Sequence, residues 1–135
     1  MANPLHGVAI VASYNTRQAR RLEGETDLSL LLEVIRGLLD ETGLERAAID
    51  GVNITTPVWG LSCREAIQLL GGEPRWCGNE FMGIAAVLEA AAAIATGQAE
   101  TVMIATAQVG EYQHGAATSP WTRPTHEFSE CWGLY

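Results

Sequence analysis

Residues 75–108, RWCGNEFMGIAAVLEAAAAIATGQAETVMIATAQ, constrain the fold more than any other part of the chain. After a short entry the segment becomes a run of alanines and branched aliphatics with almost no charge, then stops at Gly97 before a fully apolar stretch over residues 101–107. A helix on a protein surface keeps a polar face toward water. This run has no such face. It therefore predicts a helix over residues 81–96, buried on nearly all sides and the most buried of the fold, followed by a strand over 101–107. Residues at the start of that helix are then expected deep in the molecule.

A chain of 135 residues can bury a real core. Its 47% hydrophobic and 18% charged composition excludes intrinsic disorder. Eight basic against sixteen acidic residues give a net charge of −8, which argues against nucleic acid or an anionic membrane as the main partner. A local basic cluster can still hold a polyanion. Cys63, Cys77 and Cys131 are odd in number and show no CxxC or metal spacing, so free thiols in a reducing compartment are expected rather than a disulfide framework. The first residues, MANPLHGVAIVAS, lack a basic leader and their apolar run is short for a signal peptide. Glu89 interrupts the one long apolar helix, so no membrane span is expected and the cytoplasm is the expected location.

Along the chain, GVAIVAS over residues 7–13 reads as a strand covered on both faces. A polar loop with Arg17, Arg20 and Arg21 follows. Thr26 or Asp27 can cap the next helix, whose apolar positions Leu28, Leu31, Leu32, Ile35, Leu38 and Leu39 keep helical spacing up to a glycine stop at Gly43. GVNIT over 51–55 reads as a second strand ended by Pro57, residues 62–70 as a short helix stopped by Gly71 and Gly72, and residues 74–77 as a brief third strand. The order β-α-β-α-β-α-β with short links predicts an α/β fold: a mainly parallel sheet of about four strands, right-handed crossovers and helices on both faces. Residues 1–108 form this unit. Residues 109–135 read as the start of an aromatic, proline-bearing loop region, expected to be truncated or covered by a partner.

GVAIVAS, then DETGLERAAIDGVNIT at the end of the amphipathic helix, then AAVLEAAAAIATGQAETVMIATAQ resemble, in series and spacing, the N-terminal half of the thiolase superfamily over roughly residues 5 to 110. Within that superfamily the chain is most similar to thiolase-like lipid-transfer proteins and sterol-carrier-protein-type thiolases, with their side-chain retro-aldolase relatives. The resemblance implies a βαβαβαβ N-terminal half, an intimate dimer, and acyl-CoA chemistry that makes or breaks carbon–carbon bonds. It implies a CoA thioester as substrate, with no bound cofactor. The second half of such proteins, with its histidine and second cysteine, has no counterpart in these residues.

The resemblance places the family's nucleophilic cysteine at the opening of the alanine helix, seventeen residues before Gly97, and this chain has Glu80 there. A thiolate suits that position because helix amides and the macrodipole stabilise it. Where such proteins read cysteine, small, small, glycine, this chain reads Glu80, Phe81, Met82, Gly83, and only the glycine keeps the pattern. The plain account has Asn79 as helix cap and Glu80 as a first-turn acid. The functional account has Glu80 as a carboxylate in the nucleophile's place, with Asn79 and Gly83 at the substrate. Cys77 is the fallback nucleophile, against a reading as a buried inert thiol. His114, His126 and Cys131 match no metal pattern, so no metal site is expected. Arg17, Arg20 and Arg21 read as a solvated loop before they read as a phosphate clamp. Trp121, Phe128, Trp132 and Tyr135 suggest interface or lid packing.

Two functions follow as expectations. One is a thiolase-fold acyl-CoA-handling protein of fatty acyl or sterol side-chain metabolism, an acyltransferase/thiolase-like or retro-aldolase-like subunit or fragment that lacks the usual nucleophilic cysteine. The other is a non-catalytic partner that stabilises an active enzyme. Either would be a homo- or hetero-oligomer, with a thiolase-like or OB-fold accessory subunit as companion.

Overall fold

The computed structural model describes residues 5–19, 22–55, 63–80 and 83–109, with only the backbone for Cys63, Arg64, Ala66 and Leu69. The aromatic loop residues Trp121, Phe128, Trp132 and Tyr135, the candidate ligands His114, His126 and Cys131, and Arg20, Arg21, Pro57, Ser62, Phe81 and Met82 lie outside the described residues. The chain divides into two compact units, Met1–Arg17 with Gly24–Val109 and Gln18–Glu23 with Gly110–Tyr135. Every element described below belongs to the first.

Helix α1 spans Asp27–Thr42. Thr26 caps it: its hydroxyl accepts from the Ser29 N–H while the Ser29 hydroxyl oxygen accepts from the Thr26 N–H, so two of the donors orphaned at a helix start are satisfied together. Gly43, at φ +67°, ends the helix in the left-handed conformation and donates to the Leu39 carbonyl. Leu30, Leu31, Val34 and Ile35 form its buried face. A 3-10 turn over Arg46–Ala48 leads into strand β1, Gly51–Thr55. Helix α2, Cys63–Leu70, strand β2, Trp76–Cys77, helix α3, Gly83–Ala95, and strand β3, Val102–Thr106, complete the unit.

The three strands form one parallel sheet in the order β2-β1-β3. Strand β1 is central and buried throughout, as a parallel strand with covered faces should be. Alternation divides its side chains between the faces. Val52 and Ile54 join Leu31, Val34, Ile35, Leu70, Met103 and Ala105 in the core under α1 and α2. Burying a side chain such as Leu31 or Ile54 stabilises by about 1.5–3 kcal/mol. Gly51, Asn53 and Thr55 occupy the other face, where α3 packs. A Cβ on Gly51 would stand 2.7 Å from Val102 Cγ2 and 3.0 Å from Ala99 Cβ, so a side chain here would displace the link from α3 to β3.

Two expectations are corrected. Residues 7–13 form no strand, and Ile10 and Val11 are 78% and 75% exposed, so the described sheet has three strands rather than about four. An apolar run fixes neither a pairing partner nor a register, and the contact with a helix comes from the residue just after it. The Tyr14 ring lies against Gly37 of α1, and its hydroxyl donates to Glu33 Oε1 at 3.1 Å. Helix α3 is likewise not buried on nearly all sides. Ala86, Ala90 and Ala93 meet the sheet, while Ile84 is 82% and Leu88 55% exposed. Its uniform apolarity gives no internal signal of which face turns inward.

At the entry side of the strands Asp50 ties all three together. Its carboxylate accepts from the Glu100 N–H at 2.9 Å and the Thr101 N–H at 2.8 Å, ahead of β3. Its carbonyl accepts from the Arg75 and Trp76 N–H groups at 2.7 and 3.2 Å, ahead of β2. Asp50→Ala should lower the unfolding free energy by about 3–6 kcal/mol, since it removes two N–H bonds to a charged group and each contributes about 1.5–3. Urea denaturation at unchanged m-value is the measurement, and an unchanged midpoint would refute the role.

Tyr14 carries a second prediction. Its hydrogen bond to Glu33, then desolvation and the charges of Glu33 and Asp40, raise its pKa above the usual 10.0. A raised folded-state value means that this contribution is fully present below the unfolded pKa and is lost as pH rises through the folded one. Ultraviolet titration should show a late tyrosine ionisation that disappears in Tyr14→Phe.

Candidate functional site

In a parallel α/β sheet, ligands meet the carboxyl ends of the strands, where the loops into the helices gather. Here that end carries the exit of β1 at Thr55, the link from β2 to α3 and the exit of β3 at Thr106. The link contains Gly78, Asn79 and Glu80. Gly78 is buried and donates its N–H to the Val52 carbonyl at 2.8 Å, which extends the β2–β1 pairing by one bond beyond Cys77.

Beneath α3, Asn53 is 1% exposed, and its Nδ2 donates to Oε2 of Glu89 at 3.2 Å. Glu89 sits beside the buried Ala86 and Ala90 stripe, so the carboxylate stays at the rim while it reaches the strand. An ionised carboxylate only accepts, so it can take only the NH₂ side of the amide. That fixes the orientation of Asn53 and leaves Oδ1 buried, with no hydrogen-bond partner. A buried acceptor in this state costs about 1–3 kcal/mol relative to one that is satisfied. The arrangement leaves Oδ1 an oriented acceptor enclosed between β1 and α3.

Gly78 makes room for the pair. A Cβ there would stand 2.8 Å from Glu89 Oε2, 3.0 Å from Asn53 Nδ2 and 2.6 Å from Trp76 Cη2. A side chain here would make the ends of Trp76 and Glu89 shift and would crowd the Asn53 amide.

The residues singled out by the sequence fall around this pair without all joining it. Glu80 is half-buried in the β2–α3 link and engaged in an interaction of its own. Asn79 is exposed in the same link, and Gly83 is the exposed first residue of α3. Cys77 is disulfide-bonded, against the expectation of free thiols, so in this state it offers no thiolate for the fallback role. Among the described residues no group of three or more His, Cys, Asp or Glu is placed to hold a metal ion. None of the described helices is long and apolar enough to cross a membrane.

Sequence reading passed over Asn53 and treated Glu89 only as an interruption of an apolar helix. The available signal was the odd residue in each element: one amide in an otherwise apolar strand and one charge in an otherwise apolar helix. A buried polar group calls for a partner.

A double-mutant cycle on Asn53→Ala and Glu89→Ala should give a coupling energy of about 0.5–3 kcal/mol, as expected of contacting residues. Strict additivity in chemical denaturation would show that the contact contributes nothing. Searches against protein-family models, curated proteins and solved structures found no match for this chain.

Proposed function

We propose that the chain is a thiolase-fold, acyl-CoA-handling protein of fatty acyl or sterol side-chain metabolism, with Glu80 in the place of the usual nucleophilic cysteine. The sequence resemblance motivates the reading. The observation that carries it is the oriented, unpartnered amide oxygen of Asn53, set under an alanine-rich helix in a parallel α/β sheet. An acyl-CoA brings amide N–H groups on its pantetheine arm, and a β-hydroxyacyl chain brings a hydroxyl. Either donor would complete Asn53 once α3 parted from β1 to admit it, since Oδ1 is enclosed in this structure.

Without a thiol at position 80, cleavage through a cysteine acyl-enzyme is set aside. Retro-aldol cleavage of a β-hydroxyacyl thioester needs no acyl-enzyme. A base takes the hydroxyl proton, the carbon–carbon bond breaks to leave a carbonyl compound, and the thioester enolate takes up a proton. In this reading Glu80 is the base, and the amides that open α3 favour the negative charge developing on the thioester oxygen. Asn79 and Gly83 flank the thioester.

The second reading, a non-catalytic subunit that supports an active enzyme, is favoured by the exposed apolar residues of α3. Ile84, Val87 and Leu88 together form the kind of surface that a partner covers. A thiolase-like or OB-fold accessory subunit would be the companion.

One experiment separates the two. The protein, with any companion chain that copurifies, is supplied with β-hydroxyacyl-CoA and acyl-CoA substrates while carbonyl and acyl-CoA products are followed. The first reading expects turnover, with Glu80→Gln slower by about 10²–10⁴-fold, the usual worth of a general base. An intact complex without turnover sinks it and leaves the partner reading. A folded, companion-free monomer in sedimentation counts against the second.

A further inference from the structure

Two stretches of the first unit carry main-chain N–H and C=O groups that meet no other residue. Strand β3 closes the sheet order β2-β1-β3, so one of its edges pairs with β1 and the other is open. Among the described residues no hydrogen bond reaches that outer edge. Residues 9–13 are the second stretch. They belong to no helix or strand, and among the described residues none of their backbone groups is bonded. Ile10 and Val11, inside this stretch, are largely exposed.

The open edge lacks the usual protection. Natural edge strands are kept from pairing with other chains by charged residues, proline or bulges, and Val102–Thr106 has neither charge nor proline. Burial along it agrees with an uncovered edge: Met103 and Ala105 are buried in the core under α1 and α2, whereas Val102 and Ile104 are only half-buried.

Residues 9–13 match that edge in length and chemistry. Both stretches are five residues long and uncharged. A chain of net charge −8 meets a second copy with least repulsion where neither presents a charge. Successive side chains of a strand point to opposite faces. Laid beside β3, Ile10 and Val11 would therefore leave water on opposite faces, one on the side of α1 and one on the side of α3, the helices that pack on β3. Strand addition of this kind supplies main-chain hydrogen bonds and side-chain burial together. Just after the stretch the chain is fastened to α1, where the Tyr14 ring lies against Gly37 and its hydroxyl donates to Glu33. With that contact made, residues 9–13 stay unpaired in their own chain, which leaves their backbone to another molecule.

We propose that two copies of this chain associate by reciprocal strand addition, residues 9–13 of each pairing with the outer edge of β3 in the other. The exchange uses both free stretches of both copies, so the assembly closes as a two-fold dimer instead of growing into a filament. The proposal rests on the unbonded backbone of these two stretches and is independent of the acyl-CoA reading, since Glu80 takes no part in it.

Sedimentation equilibrium of the full chain across micromolar concentrations, with amide hydrogen exchange at the same concentrations, tests it. The expected result is a reversible monomer–dimer equilibrium in which protection over residues 9–13 and 102–106 rises with the dimer fraction. Ile10→Asp or Val11→Asp should weaken the dimer by about 10²-fold, because each dimer loses two buried aliphatic side chains. Both positions are exposed in the monomer, so the variants should keep the wild-type circular dichroism and denaturation midpoint. A monomer at every concentration would overturn the proposal. So would protection of residues 9–13 that does not depend on concentration, which would place the strand in its own chain. A dimer kept in Ile10→Asp but lost in Ile84→Asp would put the interface on α3 and overturn it as well.

Discussion

The sheet depends on one carboxylate. Asp50 stands just ahead of the central strand and uses its side chain and its main chain for different neighbours. The carboxylate receives the N–H groups of Glu100 and Thr101, and the carbonyl receives those of Arg75 and Trp76. Asp50 and Gly51 in turn donate to the Thr101 carbonyl. A one-residue slip in a strand would exchange its two faces. By fixing where both outer strands begin, Asp50 keeps Val52 and Ile54 toward α1 and α2, and Gly51 and Asn53 toward α3. Arg75 adds little, since its guanidinium is 4.0 Å from the carboxylate and largely solvated.

The two faces of β1 then have different consequences. One is filled by branched aliphatics and supplies stability through burial. The other carries glycine and an amide, and the facing side of α3 is alanine, so helix and sheet approach closely enough for Glu89 to meet Asn53. Small residues build the polar site by what they omit. Gly78 shows this most clearly, because a single methyl group there would overlap Glu89 and the Trp76 ring and press on the Asn53 amide.

Much of the fold was legible from local pattern. The spacing of Leu31 and Ile35, with Thr26 and Gly43 as terminators, gave α1, and GVNIT gave β1 with the limits observed. The helix expected over residues 81–96 is observed at Gly83–Ala95, and the strand expected over 101–107 at Val102–Thr106. The apolar segment over 7–13 misled because a short hydrophobic run specifies burial without specifying hydrogen bonds. The candidate site was half legible. Counting along the chain reached Glu80 and its neighbours in the β2–α3 link, whereas the contact between Asn53 and Glu89 joins residues thirty-six positions apart.

By itself the sequence determined the described helices and three of the expected strands to within a few residues, because capping, periodicity and glycine stops act over that distance and follow from local backbone sterics and hydrogen bonding. It also determined the mixed α/β class, since short links between alternating helices and strands leave few other arrangements. Only the tertiary structure decided which face of α3 turns to the sheet, that residues 7–13 stay unpaired, that Asp50 anchors both outer strands, and that Glu89 orients Asn53. These are choices between partners remote along the chain. They are settled by close packing and by the cost of leaving a buried polar atom unpaired, and neither quantity exists until the elements are assembled.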